Sequence, residues 1–89
     1  MYEIVRTSQF KRDVKKALRR NKDPEVLKTL IKKLVKRQSL PAKYQDHPLK
    51  GAYRDCRDSH IEPDWILIYR IKGNELHLIR TGTHADLFR

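Results

Sequence analysis

The sequence predicts an α+β fold of two layers, in which two N-terminal helices pack on a small, mainly antiparallel, four-stranded sheet in the order βααβββ. Three observations predict it. Two consecutive runs in the first half carry apolar residues at helical spacing. The second half holds one strongly apolar strand, Trp65 to Ile71, followed at once by a turn and a return strand. At 89 residues the chain has room for one domain, 1–89, with no repeat, linker or low-complexity segment to divide it.

The elements follow in order. Residues 2–6 (YEIVR) read as a short strand, rich in β-branched and aromatic side chains. Ser8 is the expected N-cap of the first helix. There Phe10, Val14, Ala17 and Leu18 share one face, and Lys11, Arg12, Lys15, Lys16, Arg19 and Arg20 share the opposite arc. Asn21-Lys22 ends it. Asp23-Pro24 is an N-cap followed by proline in the first helical turn. Val26, Leu27, Leu30, Ile31, Leu34 and Val35 form the apolar stripe of a second helix, and the two helices are expected to pack as an antiparallel pair. Residues 38–51 read as an irregular connector, because two prolines and a glycine interrupt it. Tyr53 to His60 is a strand without clean alternation, either an edge or a strand whose side chains serve something other than the core. Ile61-Glu62-Pro63-Asp64 is a reversal. Trp65–Ile71, a Lys72-Gly73-Asn74 turn and Glu75–Thr81 form a hairpin, and residues 82–89 are a tail.

Composition narrows the function. Lys and Arg number 21 against 11 Asp and Glu. Residues 1–50 hold 15 basic and 5 acidic side chains; residues 51–89 hold 6 of each. One half is therefore a cationic platform, suited to a polyanion such as nucleic acid, an anionic membrane surface or an acidic protein segment. The longest apolar run, Trp65 to Tyr69, is far short of the ~20 residues of a membrane span. No secretory signal is visible, so a cytoplasmic location is expected. A single cysteine, Cys56, excludes an internal disulfide framework and a cysteine-based zinc site.

The second half collects polar side chains at turns: His47 in the connector, His60 and Asp64 about one reversal, Arg80 near a strand end and His84 in the tail. Antiparallel pairing through residues 61–64 and 72–74 would gather His60, Asp64, Trp65, Arg80 and His84 into one patch. Those residue types suit RNA cleavage without a metal. The 2′-hydroxyl is an internal nucleophile, a base takes its proton, an acid protonates the 5′-oxygen, and a cation offsets charge on the phosphoryl oxygens. Histidine suits acid or base work near neutral pH, and arginine's planar fork suits phosphate. Trp65 fits a base-stacking position or the core equally well. His77 lies mid-strand between Leu76 and Leu78 and is given a structural role, and Cys56 a packing one. His47, His60 and His84 fit no compact ligand spacing, so no metal or cofactor is expected.

Three separated motifs carry a resemblance. They are DHPL with a following glycine (Asp46 to Leu49, Gly51), Arg57-x-x-His60-x-x-Pro63-Asp64-Trp65, and Arg80-x-Gly82-x-His84-x-x-Leu87-Phe88. The chain resembles the YafQ branch of the RelE/ParE toxin superfamily over essentially its whole length. The resemblance implies a RelE-like fold and a toxin of a type II toxin–antitoxin pair. It implies a metal-independent endoribonuclease that cuts mRNA in the ribosomal A site, leaving a 2′,3′-cyclic phosphate and a 5′-hydroxyl. It also implies a catalytic set of His47, His60, Asp64, His84 and Phe88, with Trp65 and Arg80 orienting RNA and its phosphate. Lys11, Lys15, Arg19 and Lys50 are expected to contact RNA or phosphate. The implied partners are a DinJ-like antitoxin in a heterotetramer, the 70S ribosome with its 16S rRNA, mRNA, and operator DNA reached through the antitoxin, with no membrane. The rival readings are a non-catalytic basic RNA- or DNA-binding module and a ParE-like toxin directed at gyrase. The second is expected to lack the histidine set.

Overall fold

In the computed structural model, which describes residues 1–88, the chain leaves β1 (Glu3–Arg6) straight into α1 (Ser8–Arg19). Thr7, rather than the expected Ser8, caps this helix. Its backbone is still extended, its hydroxyl accepts from Phe10 N–H (2.9 Å), and the same hydroxyl donates to the Ile79 carbonyl (2.8 Å). One side chain thus starts the helix and ties it to the sheet. Asn21 ends the turn in the left-handed region (φ 62°). Asp23 caps α2 (Pro24–Val35) by accepting from Glu25 N–H, with Pro24 inside the first turn as predicted.

The sheet has five strands, not four, in the order β1-β5-β4-β3-β2. The added strand is β2 (His47–Pro48), drawn from the connector and paired antiparallel to β3 (Arg57–Glu62). Proline is tolerated there because β2 is an edge and its missing N–H breaks no ladder. β3 begins at Arg57, later than expected. Gly51–Tyr53 instead form a single 3₁₀ turn, entered at Gly51 with φ 69°. A second 3₁₀ turn, Ala42–Tyr44, lies earlier in the connector. β4 (Trp65–Lys72) and β5 (Glu75–Gly82) form the predicted hairpin, with Gly73 at φ 59° in the turn. β1 runs parallel to β5. The tail holds a third helix, α3 (His84–Leu87), closed by a reciprocal cap between Thr83 and Asp86.

Alternation along β4 divides the molecule. Trp65, Leu67 and Tyr69 join Phe10, Ala17, Leu27, Leu30, Leu34, Leu76 and Leu78 beneath α1 and α2. Ile66 and Ile68 face the other way and are covered by Leu87 of α3, with Leu49, Tyr53, Cys56 and Ile79. The helices protect one face of the sheet. The connector and α3 cover part of the other, and the candidate site lies there.

Candidate functional site

Register places the first histidines. His47 pairs with Asp58 across β2–β3, and His60 pairs with Ile66 across β3–β4. Residues 58 and 60 are two apart on one strand, so both face the side carrying Ile66 and Ile68. Ile66 in turn pairs with Gly82, and two residues beyond Gly82 the chain opens α3 with His84. The His47 and His60 rings stand 6.4 Å apart, and the His60 and His84 rings 5.5 Å. Three imidazoles from the connector, a strand and a helix start therefore line one cleft.

Two of the three, His84 and His47, are oriented by an acceptor. Asp64, at the β3–β4 turn, accepts from the His84 backbone N–H (3.0 Å) and lies 2.9 Å from His84 Nδ1. The backbone bond, then the ring bond, hold the Asp64 carboxyl below its ordinary value. An ionised carboxylate only accepts, so His84 carries its proton on Nδ1 and leaves Nε2 without that proton. His47 Nδ1 lies 2.6 Å from the Gln45 carbonyl, which fixes the same tautomer. It is also 3.0 Å from Asp58 Oδ1, without hydrogen-bond geometry. Phe88 packs 6.1 Å from His84 and edge-on to Tyr53 at 6.1 Å, and remains 41% exposed. Among the described residues no group of three or more His, Cys, Asp or Glu is arranged to hold a metal ion.

The other predicted site residues are placed as follows. Trp65 is 2% exposed in the helix-side core, with Lys22 Nζ 5.9 Å over its ring. Its ring packs in that core. Arg80 donates from Nε and Nη2 to Asp13 of α1 (3.0 Å each), which also accepts from Thr81 N–H, and its guanidinium lies beside Tyr53 of the cleft side. Burial raises the Asp13 pKa, yet the bonds from Arg80, Gln9 and Thr81 outweigh it and leave the carboxyl below its ordinary value. Lys11, Lys15 and Arg19 are exposed on α1, on the opposite side of the sheet from the histidines. Lys50 is exposed beside Leu49, which packs on the cleft side. His77 bonds Glu75 and stays apart from the other three rings. Cys56 is half-buried, and burial raises its thiol.

Two features escaped the sequence reading. Asp58 is 3% exposed, and burial raises its carboxyl despite the neighbouring imidazoles of His47, His60 and His84. Its spacing of two from His60 was the available signal. The second is Asp86, which accepts from Arg20 (2.8 Å), Lys16 (3.3 Å) and Thr83 N–H (3.0 Å). The Arg20 bond leads in holding its carboxyl well below the ordinary range. It fits because residue 82 is glycine; a Cβ there would stand 2.9 Å from Asp86 Cβ. The pattern Thr83-x-x-Asp86 was legible as a capping box.

Fold and site together define a small, basic α+β protein with an open cleft of three imidazoles and two carboxylates. Comparison with known proteins gives the family. Residues 2–89 match the family described as bacterial toxin of type II toxin-antitoxin system, YafQ. The chain is 48% identical over 87 residues to the mRNA interferase toxin YafQ of Escherichia coli K12, covering 97% of this chain and 95% of that one. It superposes on the toxin of the E. coli DinJ-YafQ complex with a TM-score of 0.93 at 47% identity, covering all of both chains. A metal-bound toxin from Helicobacter pylori is similar at 39% identity and TM-score 0.92, over 99% of this chain and 100% of that one. The chain belongs to the YafQ toxin family.

Proposed function

We propose that residues 1–89 form the toxin of a type II toxin–antitoxin pair, a ribosome-dependent, metal-independent endoribonuclease that cuts mRNA in the A site. The observation that supports it most is the meeting of His47, His60, His84 and Asp64 on one open face, in a chain 48% identical to an mRNA interferase. In this reading one imidazole takes the proton of the 2′-hydroxyl. The 2′-oxygen attacks the adjacent phosphorus, and the bond to the 5′-oxygen breaks. A second, protonated imidazole donates to that oxygen. The products are a 2′,3′-cyclic phosphate and a 5′-hydroxyl, with no added co-reactant. Asp64 keeps His84 in the tautomer whose Nε2 can exchange a proton with substrate. Phe88 and Tyr53 offer apolar surface for a splayed base. Arg80, oriented by Asp13 and beside Tyr53, offsets charge building on the phosphoryl oxygens.

The exposed lysines and arginines of α1 and α2, with Lys50, would dock on ribosomal RNA, and their hold should weaken steeply with salt. A site this small gains its mRNA geometry from the ribosome. A DinJ-like antitoxin would neutralise the toxin in the cytoplasm, assembling as a heterotetramer and carrying the pair to operator DNA. The test is cleavage of end-labelled mRNA on programmed 70S ribosomes by toxin freed of antitoxin. A cut in the A-site codon with a cyclic phosphate end is expected, and His60→Ala should leave the mRNA whole. Bound but intact mRNA with the wild-type chain would mean a non-catalytic binding module and end the proposal.

A further inference from the structure

We infer that Asp46 is a positioning residue for His47, acting on it from the opposite face of the sheet. The inference deepens the nuclease reading and rests on it for its kinetic consequence. β2 is two residues long, is an edge, and contains Pro48, which has no N–H. The His47 side chain is 50% exposed, so packing does little to hold it. Yet its ring keeps a defined place 6.4 Å from His60, with Nδ1 on the Gln45 carbonyl.

Asp46 supplies the missing anchor. One carboxylate oxygen accepts from Arg57 Nε at 2.7 Å. The other accepts from the Ser59 hydroxyl at 2.5 Å and from the Tyr69 hydroxyl. Ser59 is fully buried and Tyr69 is 3% exposed, so two of the three donors belong to the rigid centre of β3 and β4. Burial, and then the Asp46 carboxylate, raise the Tyr69 phenol, which stays a donor at every working pH. Neighbouring residues on extended chain face opposite ways. Asp46 therefore reaches Ser59 and Tyr69 on the helix side, and His47 is turned to Asp58 and His60 on the cleft side. Gln45 completes the device. Its backbone is left-handed (φ 46°), uncommon for a residue with a side chain, and its carbonyl is the acceptor for His47 Nδ1–H. Holding residue 46 holds that peptide, which selects the tautomer leaving His47 Nε2 free.

The test reads position and rate separately. NMR titration of the histidine rings follows tautomer and protonation, and the ribosome-bound cleavage assay follows turnover. Asp46→Ala should change the titration and tautomer of His47 while leaving those of His60 and His84 in place. It should lower kcat by about 10–100-fold with KM changed less than about twofold. In a His47→Ala background, Asp46→Ala should cost nothing further. An unchanged His47 titration, or an equal extra loss in the His47→Ala background, overturns the inference. Should Asp46→Ala fail to fold, Tyr69→Phe removes one donor and keeps the core ring. It should move the His47 titration in the same direction with a smaller rate loss, and no movement overturns the inference. The nuclease reading fails differently: wild-type toxin would leave mRNA intact, while the His47 titration would still report on Asp46.

Discussion

On β4, Trp65, Leu67 and Tyr69 face two helices of twelve residues each, whereas Ile66 and Ile68 face a connector and a helix of four. The same strand thus feeds a broad core on one side and a small one on the other. On the helix side the polar groups are few and locked: Asp13 takes Arg80, and Asp46 takes Ser59 and Tyr69. On the cleft side His47, His84 and Asp64 keep half or more of their surface. There Asp58 is buried with one carboxylate oxygen lacking a hydrogen bond. The difference teaches how a chain this short divides labour. Stability is concentrated on one face, which frees the other to hold groups that packing would never favour.

Four measurements would break or sharpen that contrast. The largest effect is expected for His60→Ala, with A-site cleavage reduced about 10²–10⁴-fold while urea unfolding moves by less than about 1 kcal/mol. A large loss of stability there would erase the distinction between the faces. Leu67→Ala, fully buried on the helix side, should behave inversely. It should lose about 2–5 kcal/mol in denaturant unfolding, with cleavage per folded molecule little changed at low temperature.

Asp86→Ala comes next, because it removes half of the α3 cap together with the partner of Lys16 and Arg20. A loss of about 1–2 kcal/mol is expected at neutral pH. Its carboxyl lies below the ordinary value, chiefly through Arg20. The stability it contributes is therefore present above about pH 4 and is lost as pH falls toward the folded-state value. The gap between wild type and variant in urea midpoint should shrink in acid, and a constant gap would show that the charge is irrelevant. The smallest effect has the opposite sign. Burial raises the Asp58 carboxyl, so its protonated form suits the fold, and the stability this gives is lost as pH rises through the folded-state value. Asp58→Asn should raise the thermal midpoint at neutral pH, equivalent to ~0.5–1 kcal/mol. Its advantage should fade toward pH 4, and a destabilised variant at neutral pH would show that the charge is compensated.

Much of the fold was legible in the letters. The apolar spacing from Phe10 to Val35, the Asp23-Pro24 start and the Gly73 turn are local patterns, and each produced the element expected of it. The histidines and Asp64 could be chosen by residue type, position and motif resemblance. Misreadings arose where a residue's role depended on a distant partner. Thr7 and Ser8 are chemically interchangeable as caps until the Ile79 carbonyl selects between them. Arg80 is tied to Asp13, 67 residues away, a bond no local pattern announces. His47-Pro48 has no strand pattern of its own, and becomes a strand only because β3 offers an edge beside it.

What the sequence determined alone was therefore the elements, the charge and the reactive residue types, since backbone propensity and side-chain chemistry are properties of short stretches. Which face each residue takes, and which carboxylate claims which donor, was decided by tertiary structure. A two-residue period translates into place only after strand pairing sets the register, and that pairing joins segments with no local knowledge of one another.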